Sequence, residues 1–266
     1  QYTPSIKKHG LRIVDWFQNK YGMKKNAFVV ELASNDGAIL RSFMDSGFRN
    51  VLGIEPAKNI ARIARKNGIK TEAEFFSRAY AQHVSKRFGN ADFVLARHVL
   101  AHVPQTVDFL KGIRDILAPN GICCIETPYG RNLIDYMEFD SIYHEHLSYY
   151  IVTTLQYLLG CAGLHIIDIE KINIHTGSIA VFAARTESRW SLSPVIHDLV
   201  RQERENGYFE KETYKNFVTT AKKRITEIQG YLSMLRKLGK PLVGYGAAAK
   251  ANVIINLANI TPALMN

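Results

Sequence analysis

Ala27-Phe28-Val29-Val30-Glu31-Leu32-Ala33-Ser34-Asn35-Asp36-Gly37 reads as a strand that runs into a tight turn. Its first six residues are apolar apart from Glu31 and rich in β-branched side chains, the mark of a buried strand. A helical pattern follows from Ala38 to about Asp45. Strand, glycine-bearing turn and helix together make the first unit of a nucleotide-binding α/β fold. The turn lets the backbone approach a ligand, and the helix N-terminus favours an anionic group there. The full GxGxxG pattern is missing, so the turn alone does not identify the ligand.

The next strand, Asn50 to Glu55, ends in a carboxylate 18 positions after Gly37. That spacing suits an acidic side chain accepting ribose hydroxyls. The competing reading is a helix cap or a solvated strand end, with Pro56 opening the helix that follows. The alternation continues through a helix over 57–67, a short strand over 69–75 and a helix over 77–88. A strand from Asp92 to Arg97, a helix from Pro104 to Leu117 closed by Pro119-Asn120-Gly121, and a strand from Ile122 to Glu126 complete the series. Strands alternating with helices of this length predict a mainly parallel sheet covered on both faces. Ligands then bind outside the carboxyl ends of the strands, where Ser34, Glu55, Arg97, His98 and Thr127 fall.

Upstream, Ile6, Leu11, Ile13, Val14, Phe17 and Tyr21 recur at helical spacing. Downstream, 152–162 reads as a helix, 164–173 and 178–185 as strands joined by a turn at His175-Thr176-Gly177-Ser178, and 194–238 as two charged amphipathic helices broken at Gly207. Lys240 to Gly244 reads as one more strand, leading through small residues to a helix start at Lys250. This predicts a domain over 1–190, a helical connector over 191–239, and the start of a second Rossmann-like domain over 240–266.

Between Thr127 and Tyr150 the rhythm breaks. A long irregular loop in a compact domain is usually functional, and the aromatic side chains here argue against disorder. Tyr143-His144-Glu145-His146-Leu147-Ser148-Tyr149 packs two histidines, a carboxylate and two phenols into seven residues. A solvated polar turn and a general-base loop over a bound cofactor both fit. On an extended loop His144 and His146 would share a face and Glu145 would point away.

The chain has 266 residues, 47% hydrophobic, with a net charge of +10. This is enough for a real core. The basic residues are scattered, which excludes a nucleic-acid tail and leaves an anionic small molecule or a solvated surface excess. Cys123, Cys124 and Cys161 form no CxxC pair, and no zinc site is expected. The cysteine usage suits a reducing cytoplasm, and no apolar run reaches the ~20 residues of a membrane span. Both ends read as cut from something longer.

The strings Val30 to Gly37, Ile54-Glu55-Pro56, Tyr143 to Tyr149, His175 to Ser178 and Gly244 to Lys250 together resemble the S-adenosylmethionine-dependent sugar C-methyltransferases. The resemblance spans essentially the whole chain. It departs at Thr176, where the family often has glycine, and at Ala251, where glycine often follows the lysine. It implies a Rossmann-like class I methyltransferase domain and methylation of the carbon beside a ketone in a nucleotide-linked deoxysugar, with S-adenosylhomocysteine as product. It also implies roles. Glu31, Ala33, Ser34, Asn35 and Gly37 would hold the methionine end of the cofactor, Glu55 and Pro56 its ribose end, and Arg97 and His98 would lie along it. His146 would be the base, helped by Tyr143 and Glu145, with Tyr149, His175, Gly177 and Ser178 around the substrate and no metal. The family's zinc module is absent here and its C-terminal domain barely begun. Two alternatives stay open: a nicotinamide-dependent sugar-nucleotide oxidoreductase or epimerase, and a cofactor-binding fragment without activity.

Overall fold

The computed structural model describes residues 3–172, 177–246 and 248–265. They form a seven-stranded sheet in the order β3-β2-β1-β4-β5-β7-β6. The strands are β1 (Val29–Leu32), β2 (Val51–Ile54), β3 (Thr71–Glu72), β4 (Ala91–Arg97), β5 (Leu117–Pro128), β6 (Leu164–Ile172) and β7 (Ser178–Arg185). β1 to β5 run parallel, and β7 is antiparallel to both of its neighbours.

Period-two alternation sends the strand side chains into two cores. Val30, Leu32, Val94, Ala96, Cys123 and Ile125 face one side, with α4 (Arg78–Phe88), α5 (Thr106–Ile116) and α7 (Val152–Cys161). Val29, Phe93, Leu95, Ile122 and Cys124 face the other, with α1 (Pro4–Asp15) and α2 (Ala38–Asp45). There Phe17, Phe43, Phe48 and Phe93 pack with centroids 4.5–6.1 Å apart, the spacing of favourable aromatic pairs.

Two readings need correction. Pro119 to Gly121 does not close a helix, because β5 already starts at Leu117. The pairing with β4 jumps from Ala91↔Leu117 to Phe93↔Ile122, so the Pro119–Gly121 residues are the surplus of a β-bulge. The strand read at Lys240 to Gly244 is not formed; residues 240–246 carry no regular structure, for no neighbouring strand among the described residues takes their backbone hydrogen bonds. The rest of the tail is helical. α8 (Pro194–Glu205) and α9 (Lys211–Lys237) are separated at Gly207, and α10 (Ala249–Leu257) follows. α3 (Lys58–Lys66) follows β2, and α6 (Gly130–Asp135) lies inside the segment read as irregular. Among the described residues no helix is long and apolar enough to cross a membrane.

Candidate active site

The turn after β1 is wound unusually tightly. Ala33 and Asn35 both have φ +51° and Gly37 has +81°. A left-handed residue that is not glycine costs roughly 1–2 kcal/mol, and such strain collects at ligand sites. Gly37 is required twice over, since a Cβ there would also meet Ile69 Cγ1 at 2.7 Å. Glu55 holds the turn from the end of β2. One carboxylate oxygen accepts Asn35 N–H and the other Ala57 N–H, both at 2.9 Å. Two of about four lone-pair sites are thereby used, which leaves acceptor capacity for ribose hydroxyls. Beside it opens a cavity of about 530 Å³ lined by Ala33, Pro56, Phe76, Val99, His102 and Phe109 among others.

Two buried polar atoms in this turn have no hydrogen-bond partner among the described residues: Glu31 Oε2 and Ser34 Oγ. Unpartnered buried polar atoms are rare and ask for a missing ligand or water; a methionine ammonium and carboxylate would supply what they lack. Burial pushes the Glu31 carboxyl up to about 8, Arg97 draws it down, and Glu126, Asp36 and Glu55 add to the rise. Glu31 therefore keeps, in the ligand-free fold, a proton that the unfolded chain has already lost above the ordinary carboxylate range. Stability must fall as pH rises from about 4.5 to about 8 and level off above that. Glu31→Gln is expected to flatten that slope: melting temperatures of the two proteins converge near pH 5, and the variant melts higher at pH 8.5. Parallel curves across this range would refute the assignment.

Next to Glu31, on the same face of the sheet, lies a buried charge cluster. Glu126 is fully buried on β5. It accepts from His9 Nε2 at 2.8 and 3.0 Å and from Arg97 Nε at 2.9 Å. Burial alone would raise its pKa, but the His9 hydrogen bond and the Arg97 charge outweigh it, and the carboxyl stays below its ordinary value. Glu126 thus fixes Arg97 beside the turn and ties α1 to the sheet through His9.

The Tyr143–Tyr149 stretch is not extended. His146 N–H donates to Tyr143 C=O at 3.0 Å, so a turn brings residues 143 and 146 together and leaves His144 outside. Leu147 N–H donates to Ala101 C=O at 2.8 Å. This pins the loop to the 3-10 turn Leu100–His102 and sets the His102 ring edge-on to His146, centroids 5.1 Å apart. His146 Nδ1 lies 3.0 Å from Ser141 C=O. A carbonyl only accepts, so Nδ1 carries the hydrogen and Nε2 is bare. Tyr143 OH donates to that bare nitrogen at 3.0 Å, and Tyr149 OH donates to the same Ser141 carbonyl at 3.0 Å. Burial lowers the His146 pKa; the Ser141 contact opposes this, and His102 and Lys250 add to the fall. The outcome is a neutral imidazole, its Nε2 lone pair taken by Tyr143 OH, in the wall of a cavity of about 250 Å³.

That cavity is lined by His98, His102, Tyr129, Tyr143, His146 and Tyr149, with Glu138, Ser141 and Lys250. His102 borders both it and the larger cavity at the β1 turn, so one side chain belongs to the wall that holds His146 and to the wall that holds Ala33. Glu145, expected to help the base, is not brought in: it does not line the cavity, its side chain is 58% exposed, and it lies 4.0 Å from the still more exposed His144. Gly177 and Ser178 border a separate cavity of about 430 Å³ that shares Tyr129 with the first. Asn132 Nδ2 donates to Gly177 C=O at 3.2 Å. His175 lies outside the described residues.

A parallel sheet finished by the antiparallel pair β7–β6, a left-handed turn after β1 and a carboxylate after β2 define a class I methyltransferase architecture. Residues 12–169 match the family described as a methyltransferase domain, and residues 173–266 match the C-methyltransferase C-terminal domain. The chain belongs to the methyltransferase-domain family. It is similar to the C-methyltransferase NovU of Streptomyces niveus, 33% identical over 251 residues, which are 94% of this chain and 60% of NovU. The chain thus spans less than two thirds of that relative. Among solved structures it resembles magnesium protoporphyrin IX methyltransferase of Synechocystis PCC 6803 with bound S-adenosylhomocysteine. There the TM-score is 0.52 at 12% identity, over 67% of this chain and 83% of that one. An S-adenosylmethionine-dependent methyltransferase of Clostridium acetobutylicum ATCC 824 gives the same score and identity over 67% and 92%. These two likenesses show the fold. The nicotinamide-dependent alternative is set aside by the family match.

Proposed function

We propose that this chain methylates a carbon next to a ketone in a nucleotide-linked deoxysugar, through an enolate formed by His146. The observation that carries this reading is the bare, neutral Nε2 of His146, hydrogen-bonded to Tyr143 at 3.0 Å in a cavity that shares His102 with the cofactor side. NovU, a C-methyltransferase by name, supports the carbon acceptor. The nucleotide-sugar acceptor rests on the motif resemblance.

Methylation at carbon requires a nucleophilic carbon. A proton beside the ketone passes to His146 Nε2, directly or through the Tyr143 hydroxyl, which gives its own proton to Nε2 as it takes the new one. The C–H electron pair moves onto the carbonyl oxygen. A base works best when neutral at the operating pH, and the lowered pKa of His146 provides that. Glu55 and Pro56, the Ala33–Gly37 turn, Glu31 and Arg97 would hold the cofactor, and His98 would lie where it meets the substrate. S-adenosylmethionine, when bound, would supply a methyl group made electrophilic by its sulfonium. The residues named here would serve chiefly to hold cofactor and substrate together, and such positioning supplies much of the rate.

Gly177, Ser178, His175 and Tyr149 would contact the sugar, and Glu145 would act on Tyr143 only through its charge. The division at 190 and 239 belongs to this reading, with the 27-residue α9 as connector, as does a cytoplasmic location with no nucleic-acid or membrane partner. The test is deuterium exchange from solvent into the carbon beside the ketone, followed by transfer of a labelled methyl group. A label found on oxygen or nitrogen, or transfer without exchange, overturns the proposal.

A further inference from the structure

The reading above leaves the charge on the enolate oxygen without a partner. Among the groups lining the His146 cavity, the obvious donors are already committed. Tyr129 OH donates to Glu203 at 2.8 Å, Tyr143 OH to His146 Nε2 at 3.0 Å, and Tyr149 OH to Ser141 C=O at 3.0 Å. Glu138 has the wrong charge for the task. A neutral imidazole offers a dipole, whereas an ammonium offers a full charge and three N–H donors. One lysine lines this cavity, Lys250 in the first turn of α10, and its charge acts on His146. Lys250 is half-buried, and among the described residues it forms no ion pair. α10 packs on the 3-10 turn Phe139–Ser141, whose Ser141 carbonyl orients His146.

We propose that Lys250 is a catalytic residue whose ammonium binds the oxygen of the enolate formed by His146. The proposal rests on the enolate reading and adds to it the group that stabilises the intermediate. The same charge disfavours protonation of His146, so it keeps the base neutral before the step and receives the negative oxygen after it. The balance closes within the cavity: one proton moves from carbon to Nε2, one electron pair moves to oxygen, and the ammonium hydrogen-bonds that oxygen without giving up its proton. Lys250 also borders an adjoining cavity of about 700 Å³ with Arg224 and Glu138. A competing task is therefore to hold an anionic part of the substrate lying there.

The experiment compares Lys250→Met, Lys250→Arg and His146→Asn in the full chain. It reads deuterium exchange into the ketone substrate at saturation, together with kcat and KM. Loss of one oxyanion donor typically costs 10²–10³-fold. Lys250→Met is expected to slow exchange and kcat by about 10²-fold, about 2.7 kcal/mol. It should also shift the acid limb of the pH profile upward, since the charge that lowers the His146 pKa is gone. Lys250→Arg is expected to restore most of the rate. Exchange within threefold of wild type in Lys250→Met, or a rise in KM alone, overturns the assignment and gives Lys250 the anion-holding task. If His146→Asn also leaves exchange unchanged, the enolate reading itself has failed. If His146→Asn abolishes exchange while Lys250→Met does not, only the role of Lys250 is lost.

Discussion

Replacing His146 with asparagine is expected to lower kcat by about 10³-fold while changing KM by less than threefold, within the 10²–10⁴-fold range of a lost general base. The two ring nitrogens have separable duties. Nδ1–H donates to the Ser141 carbonyl, and Nε2 accepts from Tyr143 OH at the cavity wall. An asparagine amide can still donate from the δ position, so the loop keeps its place, but nothing remains to accept a proton. Alanine also removes the anchor and should raise KM as well. The pH dependence has a definite sign. Burial, the first cause, with His102 and Lys250, lowers the His146 pKa. The activity of the wild type should therefore rise with pH through a midpoint below the ordinary histidine value and be flat at neutrality. A midpoint above that value, or a kcat for His146→Asn within tenfold of wild type, would remove His146 from the role of base.

The largest stability loss is expected at Glu203, far from the chemistry in sequence. This carboxylate on α8 is fully buried. It accepts from Val152 N–H at 2.6 Å, Thr153 N–H at 2.9 Å, Thr153 Oγ1 at 2.7 Å and Tyr129 OH at 2.8 Å. The first two are free N–H groups at the start of α7, where Ile151 precedes the helix and offers no side-chain acceptor. Glu203 is a cap supplied from another helix, and its negative charge also complements the helix dipole. Glu203→Leu fills the space but leaves these donors buried without a partner, at ~1–3 kcal/mol for each unsatisfied group. A loss of about 4 kcal/mol is expected, or roughly 8–16 °C in melting temperature for a chain of this size. Glu203→Gln keeps one acceptor oxygen but turns an NH2 toward donors, and should lose roughly half as much. Urea denaturation measures both. A loss below about 1 kcal/mol for the leucine variant, the size of an ordinary single hydrogen bond, would show that water replaces the carboxylate.

The strand-and-helix alternation and the turn at Ala33 to Gly37 were legible in the sequence because period and glycine placement are local signals. The pairing of Tyr143 with His146 was not. An extended loop was expected, and the turn that forms instead depends on the Leu147 bond to Ala101, 46 positions earlier in the chain. The place of His102 on two cavities comes from the same tertiary contact and has no local signal. His9 and Glu126 form their pair across 117 positions, and no spacing rule links an early helix to a mid-chain strand. Glu203 sat in a charged amphipathic helix in which nothing local distinguishes a buried carboxylate from a solvated one. Ser141 acts through its carbonyl, which every residue possesses.

The position of β7 bears on how the chain is made. It lies between β5 and β6 and is the last strand of the sheet in the sequence. The 57 residues from Tyr129 to Arg185 take roughly 3–11 s to synthesise at ~5–20 residues per second. During that interval the apolar edge of β5 has no partner, and such an edge is a template for pairing with another chain. Ribosome-bound chains stalled near residue 150 should bind a holdase chaperone more strongly than chains stalled near residue 230; equal binding would argue against an exposed edge. The antiparallel finish that closes the sheet also sets the interval in which a growing chain depends on protection from its neighbours.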